Sequence, residues 1–114
     1  MCIVVSTRDN THKDRYLYNL HSMLNQNYTN FQIVIMDDAS DDGTGLLLLR
    51  ELRKLGVGED RARVVIRPRR HGSLNNIYYA VHTHCRDSNV TLPIDGDDEL
   101  IGRNVLKLLN AVYQ

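Results

Sequence analysis

Four short runs of apolar, mostly β-branched residues punctuate the chain: Cys2 to Val5, Ile33 to Met36, Val64 to Ile66 and Val90 to Ile94. Each predicts a strand, and each is followed by a helical pattern. The first helix is expected from about Lys13 to Asn25, with Leu17, Leu20 and Leu24 on one stripe. The second is expected from Gly43 to Leu55, with Leu48, Leu52 and Leu55 on its face and Gly56 as its stop. Leu74, Ile77 and Val81 mark a third, and Val105, Leu108, Leu109 and Val112 mark a fourth between Asn104 and Tyr113. Strand–helix alternation repeated four times implies an α/β fold, a mainly parallel sheet between two helical layers. The unbroken run Ile33-Val34-Ile35-Met36 fits a strand covered on both faces.

In such sheets ligands bind beyond the C-terminal ends of the strands, so the residues just after each strand carry the chemistry. After the first come Ser6-Thr7-Arg8-Asp9-Asn10, after the second Asp37-Asp38-Ala39-Ser40-Asp41-Asp42-Gly43-Thr44. After the third come Arg67-Pro68-Arg69-Arg70-His71-Gly72-Ser73, and after the fourth Asp95-Gly96-Asp97-Asp98-Glu99. Two acidic loops and a basic one therefore share one edge. Hard carboxylate oxygens two residues apart on a glycine turn, as at Asp95 and Asp97, suit Mg²⁺ or Mn²⁺. The bland alternative is a solvated turn capping the fourth helix. Ser40 to Asp42 read as capping residues of the second helix, but the adjacent Asp37 and Asp38 at the end of a buried strand call for a partner or ligand. Arg67, Arg69 and Arg70 are either solvated or available to a diphosphate.

Composition narrows the classes. With 114 residues, 42% of them hydrophobic, the chain can bury one domain's core without a metal or a disulfide scaffold. Fourteen basic against fourteen acidic residues leave a formal charge of +0, which argues against bulk-charge binding of nucleic acid or an anionic membrane. The two cysteines, Cys2 and Cys85, suit a reducing compartment, and Cys85 reads as helix packing. No run approaches a membrane span and no leader is visible, so a cytoplasmic location is expected. A calcium loop starting at Asp38 fails because its twelfth position is Leu49. His82, His84 and Cys85 lie on one helical pattern, where residues two apart diverge, which disfavours zinc.

The stretch from Gln26 to Thr44, with its DDxS core at Asp37-Asp38-Ala39-Ser40 and its Asp42-Gly43-Thr44 ending, resembles family 2 glycosyltransferases. Asp95-Gly96-Asp97-Asp98 is similar to their DxD motif, and a basic loop and a helix fill the interval between the two blocks as in that family. The resemblance covers essentially the whole chain. It implies the Rossmann-like, nucleotide-binding half of a GT-A fold, and transfer with inversion from a nucleotide-diphosphate sugar, a UDP-sugar being favoured, to an acceptor hydroxyl. Carried over by position, Ser6, Arg8, Asp37, Asp38, Arg70, Asn75 and Asp95 would bind nucleotide, with Asn76 as the alternative to Asn75. Asp97, with Asp95, would hold Mn²⁺ or Mg²⁺. Arg8 stands where an aromatic residue often packs on the base. The family's catalytic base lies beyond the DxD block, so residues 1–114 are expected to form a truncated, donor-binding domain with no base of their own. Other readings are a non-catalytic nucleotide-binding domain and a receiver-like Mg²⁺-binding signalling domain. Against the latter, Ser6-Thr7-Arg8 supplies no acidic pair after the first strand.

Overall fold

The computed structural model describes residues 1–85, 88 and 90–113. Four parallel strands, β1 (Cys2–Thr7), β2 (Gln32–Asp37), β3 (Ala62–Ile66) and β4 (Thr91–Asp95), form one sheet in the order β3-β2-β1-β4. Helices α1 (Arg15–Leu24), α2 (Thr44–Lys54), α3 (Ser73–His84) and α4 (Val105–Tyr113) follow the strands in turn. The expected α/β architecture is present, a parallel sheet between two helical layers. Boundaries differ where the backbone intervenes. Lys13 and Asp14 adopt left-handed φ values of 54° and 56°, so a short 3₁₀ turn, His12–Asp14, precedes α1. β3 starts two residues early because an edge strand tolerates a polar position such as Arg63.

Period-two alternation divides the core. Ile3, Val5, Ile33 and Ile35 point to the face covered by α1, α2 and α4, through Leu20, Met23, Leu48, Leu52 and Leu106. Cys2, Val4, Val34 and Met36 point to the other face, where α3 contributes Ala80 with Ile77 and Val81 packed alongside. The chain steps outward from β1 to β3, then reverses to place β4 against the far side of β1. A crossover of reversed direction and constant hand lands on the opposite face, which is why α3 sits alone there. The reversal also opens a crevice between the ends of β1 and β4, the usual ligand position in open α/β sheets.

Three expectations need correction. Leu74 is 83% exposed, and the buried side of α3 is formed by Asn76 and Ala80 instead. On α4, Leu106 is buried while Leu108 and Val112 face solvent, one helical position away from the predicted stripe. Cys2 and Cys85 are neither reduced nor simply packed. They form a disulfide across 83 residues, with Cα atoms 5.8 Å apart, that ties the start of β1 to the end of α3. Among the described residues no helix is long and apolar enough to cross a membrane.

Candidate functional site

Parallel pairing sets Ser6 beside Met36 and Asp95, and Thr7 beside Asp37. The loops after β1, β2 and β4 therefore leave the sheet at one level, and the start of α3 comes to meet them. Between them lies a cavity of about 330 Å³ lined by Ser6, Thr7, Arg8, Asn10, Asp38, Gly72, Ser73, Asp95, Gly96 and Asp97. A larger hollow, about 740 Å³, lies at the opposite end of the strands around Phe31, Arg61 and Tyr113. It contains neither the acidic turn nor the start of a helix after a strand, so the smaller cavity is the candidate site.

Asp38 is the anchor of its floor. The backbone N–H groups of His71 and Gly72 donate to its two carboxylate oxygens at 2.8 and 3.0 Å. Gly72 has φ +86°, a conformation that favours glycine, and it opens α3. Burial works to raise the Asp38 carboxyl, but donors from His71, Asn76 and Gly72 outweigh it and hold it below the ordinary carboxylate range. Asp37 behaves oppositely. Burial pushes its carboxyl up, against a bond from Ser40, whose hydroxyl donates to it. It lies under the loop rather than in the cavity, pressed by α2, where a Cβ on Gly45 would come within 2.7 Å of its Oδ2.

A carboxyl held below its usual value stabilises the fold above about pH 4, and that contribution is lost as pH falls through the lowered value. Asp37, raised by burial, has the opposite sign, and its cost is relieved as pH falls. Thermal melts between pH 2.5 and 7 are therefore expected to show a steep acid limb, flattened in Asp38→Asn. An unchanged limb in that variant would mean that Asp38 is not held ionised by these donors.

The acidic turn is built with equal care. Asp98 N–H donates to Asp95 C=O at 3.1 Å, closing the turn, and Gly96 N–H donates to Ser6 C=O at 3.0 Å, docking it on β1. Gly96 is buried, and a Cβ there would lie 2.4 Å from Thr7 Cβ and 2.8 Å from Asn10 Nδ2. Such overlap cannot be relieved by a flexible side-chain end, because Thr7 is anchored in β1. Gly96→Ala is expected to cost about 1–3 kcal/mol and to displace the turn, seen as a lower melting temperature together with weaker Mn²⁺ binding. Normal values for both would contradict this packing.

Carboxylate oxygens of Asp95, Asp97 and Asp98 lie within 4.8 Å of one another, all exposed. Three hard oxygen donors at that spacing fit a divalent cation, and Asp98 joins the pair expected from sequence. Behind the turn stands a set of residues that sequence reasoning missed. From α1, buried Asn19 donates to Asp95 C=O (3.1 Å) and Asp98 C=O (2.7 Å). Ser22 Oγ accepts from Leu100 N–H, while Gln26 donates to Gly102 C=O and accepts from Leu106 N–H. Their spacing, i, i+3 and i+7, is the one available signal, a polar ridge beside an apolar stripe.

Ser6, Arg8, Asp38, Asp95 and Asp97 are thus brought together. Arg70 is not among the lining residues. Its guanidinium spans Asp41 at 2.8 Å and Asp9 at 3.5 Å. Asn75 points away, accepting from Arg67 at 3.2 Å, while its neighbour Asn76 is fully buried and donates to Ser6 Oγ at 3.2 Å.

The fold has counterparts among solved structures. S. aureus TarS, residues 1–349, superposes with a TM-score of 0.77 at 23% identity, over 96% of this chain and 31% of that one. The same protein in complex with UDP-GlcNAc gives 0.72 at 22%, over 96% and 30%. A mannosyltransferase from Pyrobaculum calidifontis, PcManGT, in complex with GDP-Man and Mn²⁺ gives 0.74 at 23%, over 97% and 31%. The chain thus spans about a third of the length of these solved proteins, and at such identity the likeness shows the fold. No curated protein matches it. The profile described as Glycosyl transferase family 2 matches residues 2–114, with both acidic blocks inside the match, and the chain belongs to that family.

Proposed function

We propose that the chain is the donor-binding half of an inverting, metal-assisted glycosyltransferase that takes a nucleotide-diphosphate sugar, a UDP-sugar first. The observation that carries this is the single cavity that gathers Ser6, Asp38, Asp95 and Asp97 beside a trio of carboxylates. Asp38 accepts a nucleobase N–H, since its oxygens keep lone pairs beyond those used by His71 and Gly72. Arg8, on the cavity wall, offers a guanidinium plane on which a base can stack. Asp95, Asp97 and Asp98 would hold Mn²⁺ or Mg²⁺, which when bound would neutralise charge on a diphosphate leaving group. Solved relatives of the same fold were captured with UDP-GlcNAc and with GDP-Man and Mn²⁺, which supports this class of ligand.

In the reaction an acceptor hydroxyl attacks the anomeric carbon opposite the diphosphate. The carbon–oxygen bond breaks with its electrons going to the diphosphate, and the hydroxyl proton passes to a general base. No described residue is placed for that base, so residues 1–114 are proposed to bind donor and to transfer little by themselves. Calorimetric titration of the chain with UDP in Mn²⁺ tests the reading. Saturable one-to-one binding, weaker for UMP, is expected, and the absence of saturable binding would overturn it.

A further inference from the structure

We propose that Asn76 is a positioning residue for the nucleoside end of this cavity, acting through Ser6; the inference rests on the donor-pocket reading above. Asn76 lies in the first turn of α3 and is fully buried. Its Nδ2 donates to Ser6 Oγ at 3.2 Å.

Two consequences follow. Ser6 Oγ is used as an acceptor by Asn76, and among the described residues its own hydrogen has no acceptor. It is left to donate into the cavity, which Asp38 also lines. The wall thus offers one donor and one acceptor, the complement of a base edge carrying both a carbonyl and an N–H. Meanwhile Asn76 Oδ1 is buried with no hydrogen-bond partner among the described residues. A buried unpaired acceptor is costly. An apolar residue would avoid that cost, so this asparagine is explained by what its nitrogen holds in place.

Asn76 touches neither the acidic turn nor the diphosphate end. Its loss is therefore expected to separate two affinities that a general loosening of the fold would reduce together. UDP and inorganic diphosphate, each with Mn²⁺, are titrated into the wild type, Asn76→Ala, Ser6→Ala and the double variant. Asn76→Ala is expected to bind UDP about 10- to 100-fold more weakly while binding diphosphate within twofold of wild type. Ser6→Ala is expected to lose about 10-fold for UDP alone. The double variant should lose less than the product of the two, because one acts through the other. Parallel losses for UDP and diphosphate, or a multiplicative double variant, would overturn the positioning role while leaving the donor-pocket reading intact. A wild type that binds diphosphate but not UDP overturns both.

Discussion

Reducing the Cys2–Cys85 bond is expected to lower the unfolding free energy by about 2–5 kcal/mol. The bond closes a loop spanning 83 residues in sequence, most of the chain. Cross-linking so long a loop restricts the denatured ensemble by about 4–5 kcal/mol in the chain-entropy account. Domains of this size have only about 5–15 kcal/mol in total, so the bond is a large share. Reduction leaves both sulfurs in place, buried among Val4, Val34, Met36 and Ala80, and so adds little cavity or polarity cost. Urea titrations with and without a dithiol reductant should differ in midpoint by about 1–2.5 M, given a slope of about 2 kcal/mol/M. Coincident curves would mean that the thiols are unpaired in solution. A closed bond in the cell would also count against the cytoplasmic location expected from the sequence.

The second large effect concerns the acidic turn. Three exposed carboxylates within 4.8 Å repel an incoming diphosphate as strongly as they attract a cation. Chelation with EDTA is therefore expected to abolish UDP binding. In Mn²⁺, Asp97→Ala should weaken UDP by about 100-fold, an estimate for losing a first ligand to the ion that bridges protein and phosphate. Without metal the sign reverses. Removing one repulsive charge should leave residual UDP binding equal to or stronger than wild type. Calorimetry in both buffers reads this pair of outcomes, and equal weakening in both would mean that Asp97 acts on the fold and not through an ion. Because Asp97 is exposed, the melting temperature is expected to stay unchanged.

How much of this was visible in the sequence depended on how local each signal is. The Ile33–Met36 run is a local signal, and it marked a doubly covered strand with acids at its end. Strand-end placement then brought Ser6, Arg8, Asp38, Asp95 and Asp97 to one cavity. Periodicity failed where docking decides which way a helix faces, as at Leu74, Leu108 and Val112, apolar yet exposed. Asn75 and Asn76 differ by about 100° around the helix axis. Only the docked helix shows which one faces Ser6. The disulfide was hidden because an 83-residue separation carries no pairing information. Asn19 and Ser22 on α1, and Gln26 just beyond it, gave no signal because polar positions there usually mean solvent; here they face the backbone of the acidic turn and of the segment leading to α4.

The central claim is that one end of this sheet binds a nucleotide diphosphate through an ion on the acidic turn. Paramagnetic broadening of amide resonances by substoichiometric Mn²⁺, in the presence of UDP, reads it most directly. The amides of Asp95 to Glu99 are expected to broaden first, followed by Ser6 to Asn10 and then Gly72 and Ser73, with those around Phe31 and Arg61 unaffected. Broadening centred on the Phe31 and Arg61 end, or spread evenly over the chain, would contradict it.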